Sequence, residues 1–181
     1  MIAGRFICLV GPFGVGKDTV MADLAAHDAR LQLVRRVITR PSDAGSEAFD
    51  SLYHSTFATK VRNGEFALHW QAHGLSYGSQ RTVNHTVAVG PDLLSNLSRS
   101  KLAAAQSQLA SPHVIVLSAD QDILQTRLNF RGPETIDDSS IRPKRAQFEL
   151  PLKVAATHID NSVSLEDTIT GALDALYGLR G

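Results

Sequence analysis

The sequence predicts an α/β fold: a five-stranded, mostly parallel sheet flanked by helices, with an inserted subdomain and a lid. Three observations predict it. Phe6-Ile7-Cys8-Leu9-Val10 is a continuous apolar run, the pattern of a parallel strand buried on both faces. A glycine-rich turn, Gly11-Pro12-Phe13-Gly14-Val15-Gly16, follows at once, then Lys17 and a helix-forming stretch. Strand, glycine turn, lysine and helix in that order are the context of a phosphate-binding loop. Further along, strand-like runs alternate with helix-like ones, which places helices on both faces of a parallel sheet.

The elements follow in order. Residues 5–10 form the first strand. The helix from Asp18 to about Arg30 carries Val20, Met21, Leu24 and Ala25 on one face. Leu33 to Ile38 reads as a second strand. Residues 39–81 change character: a polar, turn-rich loop over 39–47, a short helix near 56–62, and a hairpin of 65–72 with 75–77 broken at His73-Gly74. This block reads as an inserted substrate-binding subdomain, with the core in 1–38 and 82–181. The core resumes with a helix over 82–89, a strand over 91–96, a helix over 99–109 and a strand over 113–118. A helix over 119–130 leads into a polar loop with Gly132-Pro133, and the lid spans about 131–145. Pro143 interrupts or delays the helix expected over 141–149. A strand over 155–160 and a helix over 164–179, N-capped by Ser164, complete the chain.

Bulk composition narrows the function classes. At 181 residues the chain suits one domain with a substantial core. Lysine plus arginine equals aspartate plus glutamate, 18 each, which gives no support for a nucleic-acid or membrane partner driven by bulk charge. Cys8 is the single cysteine, so no intrachain disulfide forms and a reduced, cytoplasmic setting is expected. The first apolar run is too short to span a membrane, and it runs directly into the glycine turn without a cleavage site. The sequence leaves the oligomeric state open.

The glycine turn carries the chemistry. Glycines let successive N–H groups converge on one concavity, and the helix start adds free N–H groups and a partial positive charge. Gly11 to Thr19 is therefore the expected nucleotide-binding stretch, with Lys17 as a mobile cation for the outer phosphates. One feature is irregular. Ser or Thr usually follows the lysine and holds magnesium; here Asp18 stands there, and Thr19 comes one place later.

Gly14-Val15-Gly16-Lys17-Asp18-Thr19, Ile38-Thr39-Arg40, Ala44-Gly45-Ser46-Glu47, Gly74-Leu75-Ser76-Tyr77-Gly78, Ser98-Arg99, Arg127-Leu128-Asn129-Phe130-Arg131-Gly132 and Asn161 together resemble one family over nearly the whole chain. It is the guanylate-kinase-like P-loop kinases, and within them the ribose 1,5-bisphosphate phosphokinases of bacterial phosphonate degradation. The Lys17-Asp18 pair and Gly45-Ser46-Glu47 are features of that branch. The chain departs from true guanylate kinases in three places. Asp43 stands near their second phosphate-gripping arginine. Leu68 replaces the glutamate that reads guanine. Asn96 and Ser98 replace acidic residues at the end of the third core strand. A leucine cannot accept the guanine N–H pair, so a sugar phosphate without a base is the expected substrate class.

The resemblance implies that ATP, with magnesium, donates its γ-phosphoryl group to the 1-phosphate of ribose 1,5-bisphosphate, giving 5-phosphoribosyl 1-diphosphate. The attacking oxygen is already anionic, so catalysis is alignment and charge neutralisation. The expected catalytic cations are Lys17, Arg127, Arg131 and Arg145, the last chosen among Arg142, Lys144 and Arg145. Arg127 and Arg131 lie four apart at a helix end; the alternative is an exposed helix terminus with favourable dipole placement. Arg40 and Arg99 are expected on the acceptor's phosphates. Glu47 either orients ribose hydroxyls or is a surface turn residue, and Tyr77 either meets a phosphate or packs in its hairpin. Asn161 is expected near the nucleotide. Asp18, directly or through water, and Thr19 are the candidate metal residues. A kinase for another small phosphorylated acceptor, GMP included, and a non-catalytic nucleotide-binding module stand as alternatives.

Overall fold

The computed structural model describes residues 3–43, 48–109, 112–131 and 155–178. The first strand, β1 (Phe6–Val10), is fully buried, and its alternation divides the core. Phe6, Cys8 and Val10 enter one cluster with Val83, Val87, Leu97, Leu102 and Val114. Ile7 and Leu9 enter another with Val20, Leu24, Ile115, Ile169 and Ala172. A strand apolar at every position is what helices on both faces demand.

Five strands make the main sheet: β1, β2 (Leu31–Leu33), β7 (Asp92–Asn96), β8 (Pro112–Ser118) and β9 (Ala155–Asp160). Their order is β2-β7-β1-β8-β9. Every pairing is parallel. Helix α1 (Lys17–His27) leaves the glycine turn and packs beside α6 (Leu165–Tyr177) on one face. Ser164 caps α6 as expected, accepting a bond from the Asp167 N–H, worth about 1 kcal/mol. On the other face lie α3 (Thr82–Val89) and α4 (Leu102–Gln108), the latter preceded by a 3₁₀ turn, Arg99–Lys101. Helix α5 (Gln121–Arg131) follows β8. No helix among the described residues is long and apolar enough to cross a membrane.

A second sheet of four strands runs β4-β3-β6-β5. It contains β3 (Arg36–Ile38), β4 (Phe49–Ser51), β5 (Phe66–Ala72) and β6 (Leu75–Gln80). Helix α2 (His54–Arg62) covers one face through Phe57, which stacks on Phe66 at 4.7 Å. This sheet corrects the expected strand over 33–38. That run is two strands in two sheets: Leu33 closes β2, the Val34 N–H donates to the Leu94 carbonyl, and Arg36 opens β3. Apolar periodicity continues through the crossing, so it does not reveal that the pairing partner changes. The three-residue strand β4 carries too little pattern to be read from sequence, and β6 extends to Gln80, past the expected Tyr77. Glu47, Arg145 and the stretches 132–140 and 141–149 lie outside the described residues.

Candidate active site

β1 delivers its chain to the carboxyl edge of the parallel sheet, where the glycine turn bends back into α1. Gly14 and Gly16 hold φ of 81° and 95°, the left-handed region that side chains avoid. A Cβ on Gly16 would also stand 3.0 Å from the Asn161 amide nitrogen. Val15 between them is fully buried, and its carbonyl is the anchor of the loop. It accepts bonds from Asn161 Nδ2 at 2.7 Å and Arg127 Nη1 at 3.2 Å. Arg127 Nη2 donates to the Asn161 carbonyl at 3.0 Å. Thr168, 2% exposed on α6, donates its hydroxyl to Asn161 Oδ1 at 2.9 Å. Thr168 was not legible as a site residue. Its signal is its place four residues beyond the Ser164 cap, one helical turn into α6 and next to the end of β9.

These contacts build a cleft of about 380 Å³ lined by Gly14, Gly16, Thr19, Arg127, Phe130, Asn161 and Leu165. Lys17 Nζ donates to the Gly11 and Pro12 carbonyls, both at 3.1 Å. Asp18 and Thr19 are exposed on the first turn of α1. Asn96, at the end of β7, donates from Nδ2 to Asp18 Oδ1 at 3.2 Å. A carboxylate and a hydroxyl beside a phosphate cradle are hard oxygen donors, and they suit magnesium, which takes one or two protein oxygens plus phosphate oxygens. The site therefore fits both ATP and magnesium.

The residues expected on the acceptor lie outside the lining of this cleft. Arg40 follows β3, its guanidinium 4.4 Å from the centre of the Phe49 ring. Its Nε is buried and has no hydrogen-bond partner among the described residues. Thr39 fixes the local chain by exchanging bonds with Ser76, N–H to carbonyl at 3.0 Å and hydroxyl from N–H at 2.8 Å. Tyr77 stacks on Trp70 with centroids 5.4 Å apart and planes at 7°. Arg99 lies in the 3₁₀ turn, and burial pulls its pKa below the ordinary value. Such a group gains from an anionic ligand. Arg131 is the last residue of α5; its side chain lies outside the described residues. Leu68 is 1% exposed and packs with Trp70, Leu97 and Leu102. Cys8 is inert in the core, its thiol pushed up to about 12 by burial.

No family model matches the chain. It is 40% identical over 170 residues to ribose 1,5-bisphosphate phosphokinase PhnN of Ruegeria sp. (strain TM1040), covering 93% of this chain and 90% of that one. It is 39% identical over 184 residues to the PhnN of Pseudomonas fluorescens (strain SBW25), covering 97% and 96%. Guanylate kinase from Anaplasma phagocytophilum superposes with a TM-score of 0.65 at 18% identity, over 96% of this chain and 85% of that one. That likeness shows a common P-loop kinase fold. On these similarities over nearly its full length, the chain belongs to the ribose 1,5-bisphosphate phosphokinase (PhnN) family.

Proposed function

We propose that this chain transfers the γ-phosphoryl group of ATP to the 1-phosphate of ribose 1,5-bisphosphate, giving 5-phosphoribosyl 1-diphosphate and ADP, in phosphonate breakdown. One observation carries the reading beyond family membership: the phosphate cradle is intact while Leu68 is sealed inside an apolar cluster. An acceptor with phosphates and no base is what such a site discriminates for.

Each residue's part follows from its chemistry. The loop from Gly11 to Gly16 and the start of α1 bind the ATP phosphates through N–H groups. Lys17 exchanges its loop carbonyls for phosphate oxygens. Arg127 holds Val15 and Asn161, so it stiffens the cradle and borders the transferring group, while Arg131 and Arg145 act as lid cations within 131–145. Arg40 and Arg99 bind the acceptor's two phosphates, Tyr77 lends its hydroxyl to one of them, and Glu47 orients the ribose. Asp18 and Thr19 would hold magnesium, which when bound neutralises charge on the phosphate oxygens. No residue is needed as a strong base, because the nucleophile is already a phosphate anion. Residues 39–81 act as the acceptor-binding subdomain. The protein works in the cytoplasm, where ATP is available and thiols stay reduced.

The test is an incubation with ATP, magnesium and either ribose 1,5-bisphosphate or GMP, followed by detection of ADP and 5-phosphoribosyl 1-diphosphate. Both products are expected with ribose 1,5-bisphosphate, and no ADP with GMP. ADP with GMP alone overturns the reading, and silence with both points to another acceptor or a non-catalytic module.

A further inference from the structure

Arg36 has no part in the roles assigned above, yet its placement is unusual. It is a charged residue 7% exposed, at the point where the chain leaves the five-stranded sheet and opens the four-stranded one. Burying a guanidinium is costly unless its contacts are specific. Two described contacts reach to opposite sides. Arg36 Nη1 donates at 3.0 Å to the carbonyl of Asn96, at the end of β7 in the main sheet. The guanidinium also lies 5.6 Å from the centre of the Tyr77 ring, on β6 of the second sheet. Both partners lead onward. The Asn96 side chain donates to Asp18, the candidate metal residue. Tyr77 stacks on Trp70, which is anchored in the core beside Leu68.

We propose that Arg36 is a positioning residue that couples the acceptor side of the site to the metal side. It holds the Asn96 main chain, and so the Asn96 amide against Asp18, and it holds the ring of Tyr77, whose hydroxyl the proposed function assigns to the acceptor. The inference rests on the function proposed above. A guanidinium suits this double task because its edge donates while its face stacks; an ammonium is one compact centre and cannot serve both partners from one position. That difference separates the two arms of the coupling.

The experiment compares wild type, Arg36→Met and Arg36→Lys, after thermal melts confirm that each is folded. Two quantities are read: the KM for ribose 1,5-bisphosphate, and the magnesium midpoint of ATP binding followed by calorimetry without acceptor. The Met variant is expected to raise the acceptor KM about tenfold and to shift the magnesium midpoint upward, with the ATP KM at saturating magnesium within about twofold. The Lys variant is expected to raise the acceptor KM while keeping the wild-type magnesium midpoint. If Met fails to fold, Asn96→Ala, which cuts the metal arm at its contact with Asp18, takes its place for the magnesium midpoint, and an unshifted midpoint there overturns the proposal. Parallel rises in the ATP and acceptor KM values, or no change in either quantity, overturn the proposal. If wild type does not turn over ribose 1,5-bisphosphate, the functional reading fails separately, and an unshifted magnesium midpoint in the Met variant then sinks the coupling as well.

Discussion

The two ends of β7 handle charge in opposite ways. At its start, Asp92 is met by charge and by hydroxyl. Arg5 donates to it from the main chain and from Nη2, both at 2.6 Å, and Tyr177 donates its hydroxyl at 2.6 Å. The guanidiniums of Arg5 and Arg30 lie over the Tyr177 ring. Burial alone would raise the Asp92 pKa, but the bonds from Arg5 and Tyr177 outweigh it and hold the carboxyl below its ordinary value. At the other end of the strand, Asn96 is an amide that donates to Asp18, and the cations of the candidate site meet different partners. Lys17 and Arg127 donate to main-chain carbonyls, and Arg40 lies against a phenyl ring. Carbonyls and a ring orient a cation without cancelling its charge. The first end of the strand is built for stability. The second sets cations on main-chain oxygens and a ring, contacts that an anionic ligand can replace.

The contrast can be broken from either side. The largest effect is expected from Lys17→Met, a loss of about a thousandfold in kcat/KM, with a melting temperature like that of wild type. Steady-state kinetics beside a thermal melt check it. Next comes Asp92→Ala, which strands Arg5 and Tyr177 and should cost about 3 kcal/mol in denaturant unfolding. The activity of the folded fraction should be unchanged, and a variant that lost activity first would blur the distinction. Arg127→Met is expected to be intermediate, about tenfold in kcat/KM with a raised ATP KM, because it removes one of the two bonds that hold the Val15 carbonyl and leaves the one from Asn161.

The smallest effect is a pH dependence. Because the folded Asp92 pKa is depressed, its contribution is present above the unfolded value of about 3.9 and is lost as pH falls through the folded value. Asp92→Asn should therefore flatten the acid limb of the stability profile below about pH 4 and leave neutral pH untouched by this titration. An acid limb as steep as that of wild type would mean that other carboxylates dominate it.

Much of this is legible in the sequence alone. Continuous apolar runs gave β1 and β8, the glycine turn announced the cradle, and Ser164 marked the start of α6. Lys17 and Asp18 stand in the glycine-turn motif, whereas Asn161 and Arg40 could be named only through the family resemblance. The crossing at Val34 and Arg35 could not be read, since both halves of the run are strands and only the partner strand differs. Arg127 was legible as a cation near the site; its bonds to the Val15 and Asn161 carbonyls were not. Arg36 had no local signature at all, because its partners Asn96 and Tyr77 are distant in sequence.

The sequence by itself determined the class of chemistry. Backbone freedom at Gly14 and Gly16, a lysine at a helix start and an apolar residue at position 68 are local properties that no packing needs to supply. Tertiary structure decided which partner each charge meets. Whether Arg5 meets Asp92 and Arg127 meets a carbonyl depends on strands and helices brought together from far along the chain. Electrostatic interactions act through distance and burial, and neither is written in the order of residues.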